Sequence, residues 1–287
     1  MKLLSYSATG RCGIACENGG EWLDLSAADG NLPSDIAGLL QNPEWKIRVN
    51  AAKAKAKARA LDPGDIGYLA PLRGGEKILC VGLNYQDHVK ESPYPSPTYP
   101  VFFPRFASSL LGHLAPLVRP AISAELDYEG EIAIVIGRKG RHIAQRDALS
   151  HVAGYTLFND GSVRDFQFKA PQWTMGKNFD NTGACGPWFV SADELPAGAD
   201  GLTLQTRVNG AVVQNSNTSD MIFDVSQLIS IASNVMTLKP GDMIVSGTPS
   251  GVGFARKPPV FLQPGDICEV SAEGLGVLRN PVIDEVL

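Results

Sequence analysis

One run of eleven residues, Leu126-Asp127-Tyr128-Glu129-Gly130-Glu131-Ile132-Ala133-Ile134-Val135-Ile136, constrains this chain more than any other. Its apolar half has the character of a buried strand, and alternation puts Leu126, Tyr128, Ile132, Ile134 and Ile136 on one face. Asp127, Glu129 and Glu131 fall on the other face, followed by Ala133 and Val135. Three carboxylates in a row on such a strand repel one another, and desolvating them is costly unless a cation or protons neutralise them. A hard divalent ion such as magnesium or manganese does this with oxygen ligands and keeps positions open for water or substrate. Asp160, ending the next hydrophobic run at 152–159, can supply a third ligand. The competing reading is an exposed acidic edge strand whose glutamates deter edge-to-edge pairing, and spacing alone leaves both open.

The rest of the chain predicts an α+β fold dominated by sheet. Residues 1–72 read as a small N-terminal subdomain: strands near 2–6, 12–16 and 21–25, then an alanine- and lysine-rich helix near 44–60. In that helix Lys53, Lys55, Lys57 and Arg59 read as a solvated face. From 73 to 287 a larger domain of strands and Gly/Pro turns follows, with strands expected at 77–82, 126–136, 152–160, 243–246 and 267–270. One or two helical turns fit 84–91, a hairpin turns at Asn209-Gly210, and the best later helix spans 225–236. Four prolines within 92–100 make that segment an irregular loop, suited to closing over a bound substrate.

Charge narrows the function classes. With 25 basic and 30 acidic residues the chain gives no electrostatic reason to expect nucleic acid or an anionic membrane as partner. No stretch approaches the length of a membrane-spanning helix, and the first residues are too short an apolar run for a secretion signal, so a cytoplasmic location is expected. Cys12, Cys16, Cys80, Cys185 and Cys268 show no zinc-type pairing and read as reduced thiols.

Several stretches in order carry a resemblance: Gly82-Leu83-Asn84-Tyr85-Gln86-Asp87-His88, the acidic strand, Gly154-Tyr155 through Asn159-Asp160 with Arg164-Asp165, Gly176-Lys177-Asn178-Phe179-Asp180, and Ser246-Gly247-Thr248-Pro249-Ser250-Gly251-Val252-Gly253. Together they resemble the fumarylacetoacetate hydrolase family from about residue 77 to the end. The resemblance implies a mixed β-sandwich roll and a homodimer. It also implies magnesium, manganese or calcium bound by Glu129, Glu131 and Asp160, and a small 2-oxo acid as substrate. Gly161, Asn178 and the run 182–185 depart from the commonest family wording and are expected to flank the substrate pocket.

A 2-oxo carboxylate can chelate such a cation, which then acts as a Lewis acid on the charge that develops. His88 and Glu91 are three apart, so one helical turn puts them on one face, where the glutamate can orient an imidazole that deprotonates water. This pair also matches the family's catalytic dyad, and the family match sets it apart from an ordinary surface pair. Lys177 is expected to donate to an oxyanion, with Gln167 in a similar role. Thr248 is expected to bind the substrate carboxylate. Arg105 is a candidate for a distal carboxylate or for a structural acid, and Arg164-Asp165 reads as an ion pair beside the metal strand. The leading expectation is hydrolysis of the C–C bond of an acylpyruvate-type 1,3-diketo acid. The alternatives are decarboxylation of oxaloacetate or a related 2-oxo diacid, and isomerisation or hydration of unsaturated 2-oxo diacids in aromatic breakdown.

Overall fold

A computed structural model describes residues 1–8, 10–56, 60–92 and 95–286. Lys57 and Arg59 of the expected basic helix face, and Pro93 of the proline-rich segment, lie outside the described residues. The helix itself spans Trp45–Lys55.

The central element is a large sheet. Its main path runs Ala60–Leu61, Glu21–Asp24, Arg11–Asn18, Lys2–Ala8, Gly183–Ser191, Val152–Asp160, Gly130–Ile136, Met243–Val245, Ile78–Gly82 and Val101–Pro104. The stretch expected as a separate N-terminal unit joins this sheet where Lys2 and Leu3 pair with Val190 and Phe189. A second, five-stranded sheet runs Ala211–Asn217, Thr203–Val208, Ile267–Ala272, Gly276–Asp284 and Leu117–Arg119.

The strand Gly130–Ile136 lies between two cores. On one side Ile132, Ile134 and Ile136 pack with Leu204, Val270 and Leu278 of the second sheet and with Leu228 and Ile229 of the helix Val225–Val235. On the other side Ala133 and Val135 meet Ile36, Leu39, Leu40, Trp45 and Val49 from the N-terminal helices. Both faces are therefore buried, and the apolar alternation read from the sequence sorts the side chains correctly between them. This is a sandwich of layers around one large sheet, mainly β, as expected.

The acidic run is not one continuous strand. Leu126–Asp127 pairs with Ser162–Val163, and regular pairing to Val152–Asp160 resumes only at Gly130. Across the gap, the Glu129 amide donates to the Asn159 side chain at 2.9 Å and the Asp160 amide donates to the Glu129 carbonyl at 2.8 Å. The break satisfies the backbone while moving Asp127 out of line with the two glutamates. The hairpin turns at Asn209-Gly210 as expected, and the helix Val225–Val235 is closed by a capping box between Asp224 and Gln227. Cys12 is exposed and the other four cysteines are buried, all as free thiols. Among the described residues no helix is long and apolar enough to cross a membrane.

Candidate metal centre and active-site cleft

Glu129, Glu131 and Asp160 are buried, and each offers a carboxylate oxygen within 4.8 Å of the others. Glu129 and Glu131 are two residues apart on one strand side; Asp160 comes from the end of the neighbouring strand, whose register places Asn159 beside Gly130. Convergence of three anionic oxygens in a dry interior is costly by itself, and the electrostatics record it. Burial, together with repulsion from Asp160 and Glu129, raises the Glu131 carboxyl well above the usual carboxylate range. Burial also acts to raise Glu129, but Lys177 and Arg164 outweigh it and hold this carboxyl down to about 2.

Three buried cations surround the acids. Lys177 Nζ lies 2.8 Å from Glu129 Oε2 and 2.6 Å from Asp160 Oδ2. Burial works against its ammonium, yet Asp160 and Glu129 more than compensate, so its proton is held more tightly than in water. Arg164 reaches Asp127 at 2.8 Å and Glu129 at 2.7 Å. Arg105 pairs with Asp160 and also donates to the Gly161 carbonyl and the Thr182 hydroxyl. Four carboxylates, counting Asp127, thus meet three cations; with all four ionised the cluster has one negative charge in excess, the charge that burial and repulsion disfavour at Glu131. The all-oxygen donor set, its buried position and the residual charge fit a hard divalent cation.

Several sequence-based assignments change here. Arg105 is fully buried and committed to Asp160, so its guanidinium fixes a metal-ligand candidate and does not line the cleft as a distal carboxylate site would. The reason is topological: the residue after Val101–Pro104 lies against the end of the strand carrying Asp160, although 55 positions separate them. Arg164 does not pair with Asp165, which instead accepts from the Ser123 hydroxyl at 2.6 Å. Asp127, grouped with the glutamates by alternation, is turned to Arg164 and to the amides of Gly253 and Phe254. Gly161, Asn178 and the run 182–185 do not border the cleft but pack behind it: Thr182 bonds Arg105, and Asn178 bonds the Phe106 amide and Pro104 carbonyl.

Above the acids lies a narrow cleft. Its polar lining comprises Glu129, Arg164, Gln167, Lys177, Thr248 and His88; Phe103, Phe168, Trp173 and Phe254 form aromatic walls. Gln167 accepts from Arg164 through its Oε1 at 2.8 Å, which leaves its amide nitrogen as a donor. Thr248 has its hydroxyl engaged, donating to the Gly130 carbonyl and accepting from Gln214, at 3.0 and 2.8 Å.

His88 lies on the short helix Gln86–Glu91, and its Nδ1 is 2.8 Å from Glu91 Oε1. That contact leaves Nε2 available to exchange a proton. The helix has no side-chain N-cap bond; its acidic residues are held by one loop, where Ser250 donates to Asp87 at 2.7 Å and the Gly251 amide donates to Glu91 at 2.9 Å. Gly251 sits at φ +104°, and a Cβ there would lie 2.1 Å from the Val213 carbonyl oxygen, so glycine is required. Ser92, the first residue of the proline-rich segment, also borders the cleft.

Gln214 and Arg256 were not singled out from the sequence. Gln214 ties the Gly130 amide to Thr248 and the Pro249 carbonyl, all within 2.9 Å. Arg256 and the Tyr128 hydroxyl both reach the Gly251 carbonyl. Neither residue forms part of a charged pattern, and only the meeting of the two sheets reveals their roles.

Residues 77–283 match the family model for the fumarylacetoacetate (FAA) hydrolase C-terminal domain. A mitochondrial oxaloacetate tautomerase of Xenopus laevis is 42% identical over 99% of this chain and 90% of its own length. Among solved structures, a fumarylacetoacetate hydrolase from Exiguobacterium antarcticum superposes with a TM-score of 0.87 at 36% identity, covering 99% of this chain and 100% of its own. A 5-carboxymethyl-2-hydroxymuconate delta-isomerase from Mycobacterium smegmatis does so with a TM-score of 0.78 at 32% identity, over 100% of both chains.

Proposed function

This chain belongs to the fumarylacetoacetate hydrolase family, and from that premise we propose that it interconverts the keto and enol forms of oxaloacetate or a close 2-oxo diacid. The observation that carries the reading is a single cleft lined by both Glu129 of the carboxylate cluster and His88, whose Nδ1 is fixed by Glu91. The choice of oxaloacetate draws on the activity named for the Xenopus laevis relative. It replaces C–C hydrolysis as the leading assignment.

Glu129, Glu131 and Asp160 would hold a magnesium or manganese ion, with calcium also compatible with the donors. Bound there, the cation supplies Lewis acidity to a 2-oxo carboxylate. Keto–enol exchange asks little else of the protein. In the enolising direction His88 takes a proton from carbon 3. The electron pair of that C–H bond becomes the carbon–carbon double bond, and the 2-oxo oxygen gains the negative charge and then a proton. Lys177 and the Gln167 amide supply positive charge and a donor at the same cleft. No attacking water and no leaving group are needed.

Hydrolysis of an acylpyruvate is the second reading, favoured by the His88–Glu91 pair, which could equally deprotonate a water. The two are separated by following the enol absorbance of oxaloacetate and the cleavage of an acylpyruvate with metal-loaded protein. We expect oxaloacetate interconversion that a chelator abolishes and that His88→Ala slows by roughly a hundredfold. Acylpyruvate cleavage with oxaloacetate exchange at the buffer rate would transfer the assignment to the hydrolase. Homodimer formation and a cytoplasmic location are carried as part of this proposal. Light scattering on the purified protein tests the first, and cell fractionation tests the second.

A further inference from the structure

Contacts lead outward from the carboxylates in a definite order. Lys177, which bonds Glu129 and Asp160, lies with its Nζ 5.1 Å from the centre of the Phe103 ring. Phe103 meets Trp173 edge-on, with ring centres 5.5 Å apart. Trp173 in turn lies against Gly82: a Cβ added there would fall 2.2 Å from the indole Cζ3 and 2.8 Å from Cη2. No side chain other than hydrogen leaves room for the indole at that distance. All four residues border the cleft.

We propose that Trp173, seated on Gly82, sets the length of 2-oxo acid this cleft accepts, admitting four-carbon acids and rejecting long-chain ones. The inference rests on the reading that a 2-oxo acid binds by its carboxylate and keto oxygens at the Glu129–Glu131–Asp160 cluster. A chain anchored there passes Lys177 and Phe103 and then meets the indole. The strand at Gly82 and the ring at Trp173 are in direct contact, so no channel runs between them. Phe168 and Phe254, paired at 5.5 Å, add to the aromatic lining. The short helix Thr174–Lys177 starts directly after Trp173, so the residue that limits length and the lysine at the acids belong to one segment. A pocket discriminates each added methylene by roughly 10- to 200-fold when no space is left for it.

The test is equilibrium binding by calorimetry of 2-oxobutanoate and 2-oxooctanoate to the full chain in saturating magnesium. The wild type is expected to bind the four-carbon acid at least about tenfold more tightly than the eight-carbon acid. Trp173→Ala should cut that preference about tenfold by admitting the longer acid. Trp173→Phe should fall between, and it covers the case in which the alanine variant fails to fold. Gly82→Ala, which expels the indole by adding one methyl group, should act in the same direction as Trp173→Ala. Equal binding of both acids by the wild type, failure of the short acid to bind, or an unchanged preference in the folded Trp173 variants overturns the proposal. Because binding is read and not turnover, an enzyme inactive on oxaloacetate would defeat the proposed reaction and leave this inference standing.

Discussion

Glu129 of the carboxylate cluster and His88 of the His88–Glu91 pair border the same cleft, but the two groups are held in opposite ways. Glu129, Glu131 and Asp160 sit at the ends of long strands buried on both faces, and each charge is met by Lys177, Arg164, Arg105 or a backbone amide. His88 and Glu91 ride on a six-residue helix whose main tethers are the Ser250 hydroxyl and the Gly251 amide. A buried charge cluster is rigid because each member removed leaves another unpaired. A short helix held by two part-buried tethers has fewer groups to unpair when it shifts. On the proposed reading, binding would rest on the stiff part and proton exchange on the adjustable part.

The comparison breaks most decisively at Arg105. Replacing it by methionine leaves Asp160 buried without its guanidinium, at an expected cost of about 3–5 kcal/mol in unfolding free energy. Chemical denaturation measures it, and metal affinity should fall alongside stability. A variant as stable as the wild type would show that the cluster is not the stiff element described. At the other pole, Gly251→Ala puts a Cβ against the Val213 carbonyl in a left-handed backbone and should cost about 1–3 kcal/mol. Here turnover should drop while magnesium affinity, read by titration calorimetry, stays within about twofold. Equal losses of both would mean that the two parts are one mechanical unit.

The smallest effect lies outside the cleft and sharpens the contrast by subtraction. His113 meets Tyr68 edge-on and accepts from the Arg279 amide, and burial with the Arg279 charge pushes it from its ordinary 6.5 down to about 4. The unfolded chain therefore binds the extra proton between those values, so stability rises with pH through that window and is lost as pH falls from 6.5 toward 4. Partial exposure screens the effect to below about 2 kcal/mol. His113→Asn, which keeps an acceptor for Arg279, should flatten that part of the stability curve and leave the pH profile of turnover in place. A shift in both would tie this distant histidine to the cleft.

Much of this could be read in the sequence where side chains encode their own surroundings. The strand Val152–Asp160 has the bounds read for it, because nine residues of strand character end at a carboxylate. The two-faced sorting of 130–136 followed from alternation alone. In the strand Gly183–Ser191, Gly183, Gly186 and Pro187 look like a loop in the sequence, yet Gly183 sits where the Arg105 guanidinium approaches closely and Gly186 takes a positive φ of +142°. Spacing alone left the acidic run open between a metal site and an acidic edge, and the carboxylate cluster was legible only through the resemblance that the surrounding motifs carry. Its cationic partners were not, since an arginine carries no mark of which acid it will meet across 55 residues. Arg105 could be written as binding substrate or structure with equal ease, and only the fold decides. Asp127 failed in the opposite way: its spacing matched the glutamates, but the chain breaks strand geometry right after it.

Gln214 carries a consequence for anyone who wishes to move this chemistry elsewhere. It grips the residue between the two glutamates with one end of its amide and the Thr248 loop with the other, reaching across from the hairpin of the second sheet. The three carboxylates are therefore not a portable motif. A graft onto another scaffold would have to bring the hairpin and the loop with them, and a design carrying the acids alone would inherit their repulsion without the brace that spaces them.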